Sequence, residues 1–518
     1  MQTMETLPRL VLTGASGFVG RRVLETVRSR YRVFAVDRLS QAESQAPDHP
    51  NVSWHQLDIA EPEPLSRFFT EVRAGGSVQV LLHLAAYYDF TGENNPEYQR
   101  TNVDGTCLLL EMSRGLGLER FIFASSAAAC EFPRPGTALT EASPPDATHP
   151  YGVSKRQGEE LVREASRDFP TAIVRFAALF SDWCEYAPLF VFLQTWLSKR
   201  WNARVLGGRG RSAVPYMHVR DLALFLERVI DRRRDLPPSQ VLLASPDGAV
   251  THEELFRATT AYAFGKARRP LHVPKPLAAV GIRARHTMGK LLGEEPFERP
   301  WMSKMIDLRL DVDARRTREL LDWAPRPRLS ILRRIPFLIE NSKADPVEWY
   351  AKNADVLHLG HLYPNLQVLR LLDLHEPEIS ARFTRVLIGP EGQELLTHYR
   401  EMPAEEHAWH HRLLFHNLLQ AVRTRERSPF MSYCRDLAER RARQGFTCAE
   451  VRYAISAFDR IVHEVLAHDS ASFLLRQAIH DYITVTLEFG IDAIEDVFEL
   501  RHGAQAAAPP EPVIERTA

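Results

Sequence analysis

Between residues 9 and 180, six short apolar runs alternate with longer stretches of helical apolar spacing such as Val103–Leu116. The runs are RLVLTG, YRVFAVD, VSWHQLD, VLLHLAA, RFIFASS and TAIVRFA. A short continuous apolar run reads as a strand buried on both faces, and strands alternating with helices predict a doubly wound parallel sheet of the α/β class. In such a sheet, ligands bind outside the carboxyl ends of the strands. The residues at those ends are therefore the ones to search for chemistry.

The first run leads into LVLTGASGFVGRRVLETV, with glycines at 14, 17 and 20. Gly14 allows a tight turn, Gly17 lets the backbone approach a pyrophosphate, and Gly20 allows close packing of helix on sheet. Ser16, Phe18 and Val19 complete this candidate dinucleotide loop. The helix it opens offers unpaired N–H groups to phosphate. The second run ends in Asp37, where an acid accepts hydrogen bonds from a ribose diol and repels a 2′-phosphate, which favours NAD. Arg38 beside it would instead suit a 2′-phosphate and keeps NADP as the alternative. Asp58, followed by Ile59, ends the third run within reach of an adenine edge, although a plain loop acid fits as well.

Ser125 and Ser126 end the fifth run. Tyr151 and Lys155 follow in HPYGVSKRQGE, one helical turn apart and on one face. Together T-G-A-S-G-F-V-G, H-L-A-A, N-V-D-G-T, the serine pair and Y-G-V-S-K resemble the extended short-chain dehydrogenase/reductase family, which shares the Rossmann fold. The resemblance spans roughly residues 8–330 and is nearest the 3β-hydroxysteroid dehydrogenase and dihydroflavonol reductase branch. It implies Tyr151 as general acid/base, and Lys155 as the group that holds the nicotinamide ribose and lowers the tyrosine's pKa. It implies Ser126, with Ser125 as the register alternative, as donor to the substrate oxygen. Asn102 would support the backbone near the site, while His83, Leu84, Ala85 and Ala86 would line the cofactor cleft. Homodimerisation through two helices of the sheet domain is also implied.

Departures from the family pattern narrow the expected reaction. Ala127-Ala128 stands where sugar-nucleotide dehydratases carry an acidic pair, which disfavours dehydration. Arg175-Phe176-Ala177-Ala178 lacks the Asn that many sugar-nucleotide epimerases place after the sixth strand, and Cys130 replaces a common tyrosine. The aromatic-rich AAYYDF and FSDWCEY suggest an apolar pocket, with core packing as the alternative. The expected function is hydride transfer between NAD(P) and a hydrophobic alcohol or ketone. The alternatives are a nucleotide-sugar epimerase that retains NAD, and a nicotinamide redox sensor.

The expected organisation is a dinucleotide-binding domain over 8–335, with a small substrate-covering region mainly in 181–335. A separate all-α domain over 340–502 and a disordered Pro/Ala-rich tail over 503–518 follow. In EVRYAISAFDRIVHEVL, apolar residues at 451, 454, 455, 458, 461, 462, 465 and 466 keep a 3.6-residue period. Gly445 can end the preceding helix, and Thr447 with Glu450 forms a capping box. This half is similar to helical input domains of stressosome regulators, which implies a regulatory role and a protein partner. His407 and His411 share a helix face and offer metal or haem ligands, with helix packing as the plainer reading; no metal site is assigned. His358, His361, His410 and His416 lie in the same half. Arg440, Arg441 and Arg443 read as a solvated helix end.

Lys and Arg number 65 against 66 Asp and Glu, so net charge gives no reason to expect nucleic acid or an anionic membrane as partner. Five scattered cysteines (107, 130, 184, 434 and 448), no C-x-x-C and no signal-like or membrane-spanning segment fit a reducing cytoplasm.

Overall fold

The computed structural model describes residues 7–44, 46–292, 296–353, 364–389, 395–469, 472 and 475–506. They divide into two compact units. One holds the described residues through Ser342 together with 351–353; the other holds Lys343–Tyr350 and the described residues from 364 on.

The first unit is built on the expected parallel sheet. All six runs form strands: β1 Arg9–Thr13, β2 Arg32–Asp37, β3 Val52–Gln56, β4 Val80–His83, β5 Arg120–Ser126 and β6 Thr171–Phe176. A seventh, β7 Ser239–Ala244, pairs parallel with β6, and the order is β7-β6-β5-β4-β1-β2-β3. The chain winds both ways from β1, so the reversal lies between β1 and β4. There the loops after the two strands diverge and open a cleft.

Strand residues alternate between two cores. Leu10, Leu12, Val33 and Ala35 face one side, against Val23 and Val27 of α1 (Phe18–Val27) and Phe225 and Val229 of α5 (Val219–Asp231). Val11, Phe34 and Val36 face the other. There they meet Phe69 of α2 (Pro62–Ala74), Leu109 of α3 (Gly105–Ser113) and Val162 of α4 (Pro150–Ala165). Each such buried valine, leucine or phenylalanine side chain contributes about 1.5–3 kcal/mol. A π-helical segment, Tyr98–Asp104, precedes α3 and starts the helical stretch earlier than the apolar spacing from Val103 suggests.

The region read as substrate-covering gives part of its length to the core, because β7 and α5 both lie within it. Around them are three two-stranded ribbons: Ala178–Phe180 with Tyr216–His218, Ala213–Val214 with Val250–Thr251, and Val205–Gly207 with Leu271–Val273.

The second unit is helical in its described residues. Its longer helices are α6 Pro364–Ile388, α7 Ala404–Thr424, α8 Ser428–Arg443, α9 Cys448–Leu466 and α10 Val485–Ala506. All eight apolar positions of the periodic segment in α9 are buried, and the Thr447–Glu450 capping box is formed. Gly445, at φ 90°, ends α8 through the left-handed region open to glycine. Helix α10 continues through Ala506, so 503–506 of the expected disordered tail are helical; the rest of the tail lies outside the described residues. His358 and His361 also lie outside them. Arg441 is 1% exposed, whereas Arg443 is exposed. The solvated helix end therefore holds for Arg443 and fails for Arg441, because the inward face of α8 carries it under α7 and the Phe446 turn. Among the described residues, no helix is long and apolar enough to cross a membrane.

Candidate active site

The glycine loop is tightly closed. Gly14 has φ 71°, and a Cβ there would lie 2.7 Å from the Ala85 nitrogen after β4. A Cβ on Gly20 would lie 2.0 Å from the Gly14 oxygen, so only glycine lets α1 start so near the strand. Gly17 caps α1 without a side-chain hydrogen bond, and the first turn carries no acid. The helix therefore presents bare N–H groups and positive potential, which suit a pyrophosphate. Ser16, Phe18 and Val19 are partly exposed around that N-terminus.

Asp37 ends β2 beside this loop. Its Oδ2 accepts from the Ser16 N–H at 2.8 Å and its Oδ1 from the Leu39 N–H at 3.1 Å. Its carboxylate is thus held at the loop, where a ribose diol would meet it. Arg38 is exposed. Asp58 is ion-paired to Arg100 at 2.7 Å and accepts from the Ala60 N–H at 2.9 Å. Burial pushes its carboxyl up, but the Ala60 amide and Arg100 outweigh it and hold the carboxyl below its usual range. Ile59 is buried, with its side chain against Gly105.

Leu84, Ala85 and Ala86 follow β4 at the cleft, with Ala86 exposed. His83 does not line it. It is 1% exposed and bridges Thr13 Oγ1 at 2.7 Å and Thr106 Oγ1 at 3.0 Å inside the sheet. The alternation of β4 turns it inward, one residue before the strand opens out. Asn102 clamps the segment beyond: its Oδ1 accepts from the Tyr87 N–H at 2.6 Å, and its Nδ2 donates to the Tyr87 oxygen at 2.9 Å and to Ser154 Oγ at 3.0 Å. This ties the loop after β4 to the helix that carries Tyr151.

Helix α4 starts at Pro150, with the His149 ring accepting from the Gly152 N–H. Tyr151 lies in its first turn and Lys155 one turn on. Strand β5 delivers the two serines to opposite sides. Ser125 Oγ is buried and donates to Glu159 Oε1 at 2.6 Å. Ser126 is the hydroxyl that reaches the Tyr151 phenol; its Oγ also accepts from the Ala128 N–H at 3.1 Å. Burial pushes the Tyr151 phenol up to about 12, with Ser126 acting against that rise. Lys155 is 5% exposed; its Nζ donates to the Ala124 oxygen at 2.8 Å and stands 6.0 Å from the centre of the Tyr151 ring. Burial lowers it to about 8, with Glu159 opposing.

An aromatic wall faces this group. Tyr88 packs 4.5 Å from the Tyr151 ring and 4.7 Å from Phe90, whose ring is 5.8 Å from Tyr186 and 5.9 Å from Phe297. Tyr88 remains 47% exposed, so this wall borders open space. AAYYDF and FSDWCEY do meet here, through Tyr88, Phe90 and Tyr186. Cys130 is packed in a small apolar cluster, and burial raises its thiol to about 11.

Two features have weak signals in the sequence. Beneath the site, Glu159 and Arg175 form an ion pair with both side chains at 0% exposure, through bonds of 2.9 and 2.8 Å. Only the spacing of Glu159 one turn after Lys155 hints at it. Cys184 and Glu185 take φ of 78° and 56°, sparsely populated for residues with a side chain, immediately before Tyr186. No glycine marks that turn.

Residues 10–244 match the family model described as the NAD dependent epimerase/dehydratase family. The chain is 25% identical over 180 residues to the UDP-glucose 4-epimerase of Bacillus subtilis, covering 32% of this chain and 51% of that one. It is 29% identical over 171 residues to UDP-glucose 4-epimerase 2 of Arabidopsis thaliana, covering 30% and 47%. The chain thus spans about half the length of the curated relatives it matches. The crystal structure of the Thermotoga maritima UDP-glucose 4-epimerase with UDP-glucose shares the fold at a TM-score of 0.50 and 20% identity, covering 65% of this chain and 99% of that one. Of the two dinucleotides open from the sequence, NAD is the family's, and the bare helix N-terminus with Asp37 beside it has the donors and acceptor to hold it. Over residues 10–244 the chain is therefore similar to the NAD dependent epimerase/dehydratase family.

Proposed function

We propose that the first unit is an NAD-dependent enzyme that oxidises and reduces a carbinol carbon, with Tyr151, Lys155 and Ser126 as its working side chains. The observation that carries this reading is the meeting of the Tyr151 phenol, the Ser126 hydroxyl and the buried Lys155 ammonium at the cleft beside the glycine loop. NAD supplies the hydride acceptor and donor. The substrate hydroxyl gives its proton to Tyr151 Oη as the carbon is oxidised, and takes it back on reduction. Ser126 donates to the substrate oxygen. Lys155, at about 8, is still an ammonium at neutral pH and favours phenolate over phenol.

For the substrate, a nucleotide sugar undergoing epimerisation is the reading its relatives support, being UDP-glucose 4-epimerases. In that cycle hydride leaves one face of the carbon and returns to the other, so NAD is restored each turnover. A second reading, simple hydride exchange with an apolar alcohol or ketone, is supported by the wall of Tyr88, Phe90, Tyr186 and Phe297.

The test is to purify the chain without added nucleotide, release bound cofactor by denaturation, and assay UDP-glucose/UDP-galactose interconversion beside the Tyr151→Phe variant. Retained NAD with interconversion that the variant loses is the expected result. Exchangeable NAD with turnover of an apolar alcohol would favour the second reading. Failure to bind NAD would overturn both.

A further inference from the structure

The helix Lys275–Leu292 of the first unit carries an apolar stripe on its outer side. At about 100° per residue, Leu277, Val280, Gly281, Ala284 and Met288 fall on one narrow strip about 17 Å long. All five are exposed, with Leu277, Val280 and Met288 at 63%, 63% and 59%. The opposite side, with Ile282, His286 and Gly289, is buried or half-buried, and the helix packs on the Pro300–Met305 turn. Lys275 anchors it there, its Nζ donating to the Lys304 and Ile306 oxygens at 3.0 and 3.1 Å. An ordinary surface helix turns its apolar stripe toward the core. This one is held by a mixed face and turns its stripe to solvent, which marks an interaction site.

The charge around the stripe has one sign. Residues 265–292 hold seven Lys or Arg and no Asp or Glu, and the three glutamates that follow by residue 298 leave an excess of four. Arg283 and Lys290, both exposed, flank the stripe on one side. Arg285 flanks it on the other, where Glu298 pairs with it at 3.1 Å. Lys266 and Arg269, also exposed, precede the ribbon strand Leu271–Val273 that leads into the helix. Lys and Arg balance Asp and Glu over the whole chain, so this excess is local and net charge does not register it.

The chemistry selects the occupant. A second copy seated on the stripe about a two-fold axis would bring the same cations together. A partner protein would need acids matched to both flanks and to the segment before the helix. An anionic lipid surface offers negative charge to all of them and apolar depth to the stripe, and Lys and Arg reach it on long apolar stems.

We propose that the helix Lys275–Leu292 docks the first unit on the surface of an anionic lipid bilayer. It lies in the interface plane without crossing it, with Leu277, Val280, Ala284 and Met288 at the headgroup–acyl boundary and Arg283, Arg285 and Lys290 toward lipid phosphate. The inference is independent of the reaction proposed for the cleft.

The test is co-sedimentation of the full chain with phosphatidylcholine vesicles, with and without phosphatidylglycerol. Binding is expected only with phosphatidylglycerol and should weaken as salt rises. Arg283→Gln with Lys290→Gln keeps the apolar stripe and should weaken binding about tenfold or more, since each cation at an anionic surface is worth about fivefold. Val280→Asp with Met288→Asp should abolish binding while circular dichroism and the thermal midpoint stay at their wild-type values, because both side chains are exposed. No binding to the anionic vesicles, or binding that neither variant reduces, overturns the proposal. A dimer in sedimentation equilibrium that Val280→Asp with Met288→Asp dissociates would overturn it too, and assign the stripe to a second copy of the chain.

Discussion

Lys155 Nζ hydrogen-bonds the Ala124 carbonyl at 2.8 Å and lies 6.0 Å from the centre of the Tyr151 ring. The ammonium is therefore built into the end of β5, and the tyrosine one turn earlier on the same helix sits in its field. Charge position and sheet geometry are set by one contact.

This contact predicts opposite effects of Lys155→Met on activity and stability. Turnover should fall about 10²-fold or more, because the phenol loses its cation. Burial lowers Lys155 from 10.5 to about 8, with Glu159 opposing. Below pH 8 the native state thus pays to hold the charge, and the cost disappears as pH rises from about 8 to 10.5. The variant should be about 1–3 kcal/mol more stable at pH 7, less what the unpaired Ala124 carbonyl takes back. Its advantage should shrink across that alkaline window in urea titrations.

The paired serines should separate cleanly. Ser126→Ala should lower turnover by about 10²–10³-fold and, by taking the acceptor from the Ala128 N–H, cost about 0.5–2 kcal/mol of stability. Ser125→Ala removes a donor from the buried Glu159 and should cost about 1.5–3 kcal/mol in thermal or urea unfolding, with little change in NAD affinity. A reversal of these two phenotypes would place the substrate oxygen at Ser125.

Arg175→Met leaves the buried Glu159 carboxylate with Arg163, Ser125 and the more distant Lys155 ammonium and should cost about 3–5 kcal/mol. Burial works against the Glu159 charge, but the Arg175 bonds outweigh it and hold the carboxyl below its ordinary 4.5. The pair's contribution is therefore complete above about pH 4.5 and is lost as pH falls through the depressed native value. Wild-type protein should lose stability in that acid window, and Arg175→Met should show a flatter acid limb.

Gly20→Ala places a methyl 2.0 Å from the Gly14 oxygen and must displace the loop or α1. NAD affinity measured by calorimetry should fall about 5- to 150-fold, the equivalent of 1–3 kcal/mol of overpacking. Asp37→Ala tests the other end of the same site. It should weaken NAD and narrow the gap to NADP, by loss of the acceptor and of its repulsion toward a 2′-phosphate.

Much of this molecule is written locally. The six apolar runs became strands because a buried strand needs only its own few residues to be apolar. The glycine loop, the Thr447–Glu450 box and the apolar face of α9 follow from backbone sterics and a helical period, which neighbours in sequence decide. Tertiary structure decided what depends on distant partners. SQVLLA became an edge strand because β6 was there to pair with it. Ser125 and Ser126 parted because β5 turns one toward Glu159 and the other toward Tyr151. His83 went inward between Thr13 and Thr106, and Arg441, in the stretch Arg440-Arg441-Ala442-Arg443 that reads as solvated, was covered by Phe446 and Tyr399. Whether a charged or polar side chain is buried is a property of what packs over it, and that is a long-range fact no local pattern carries.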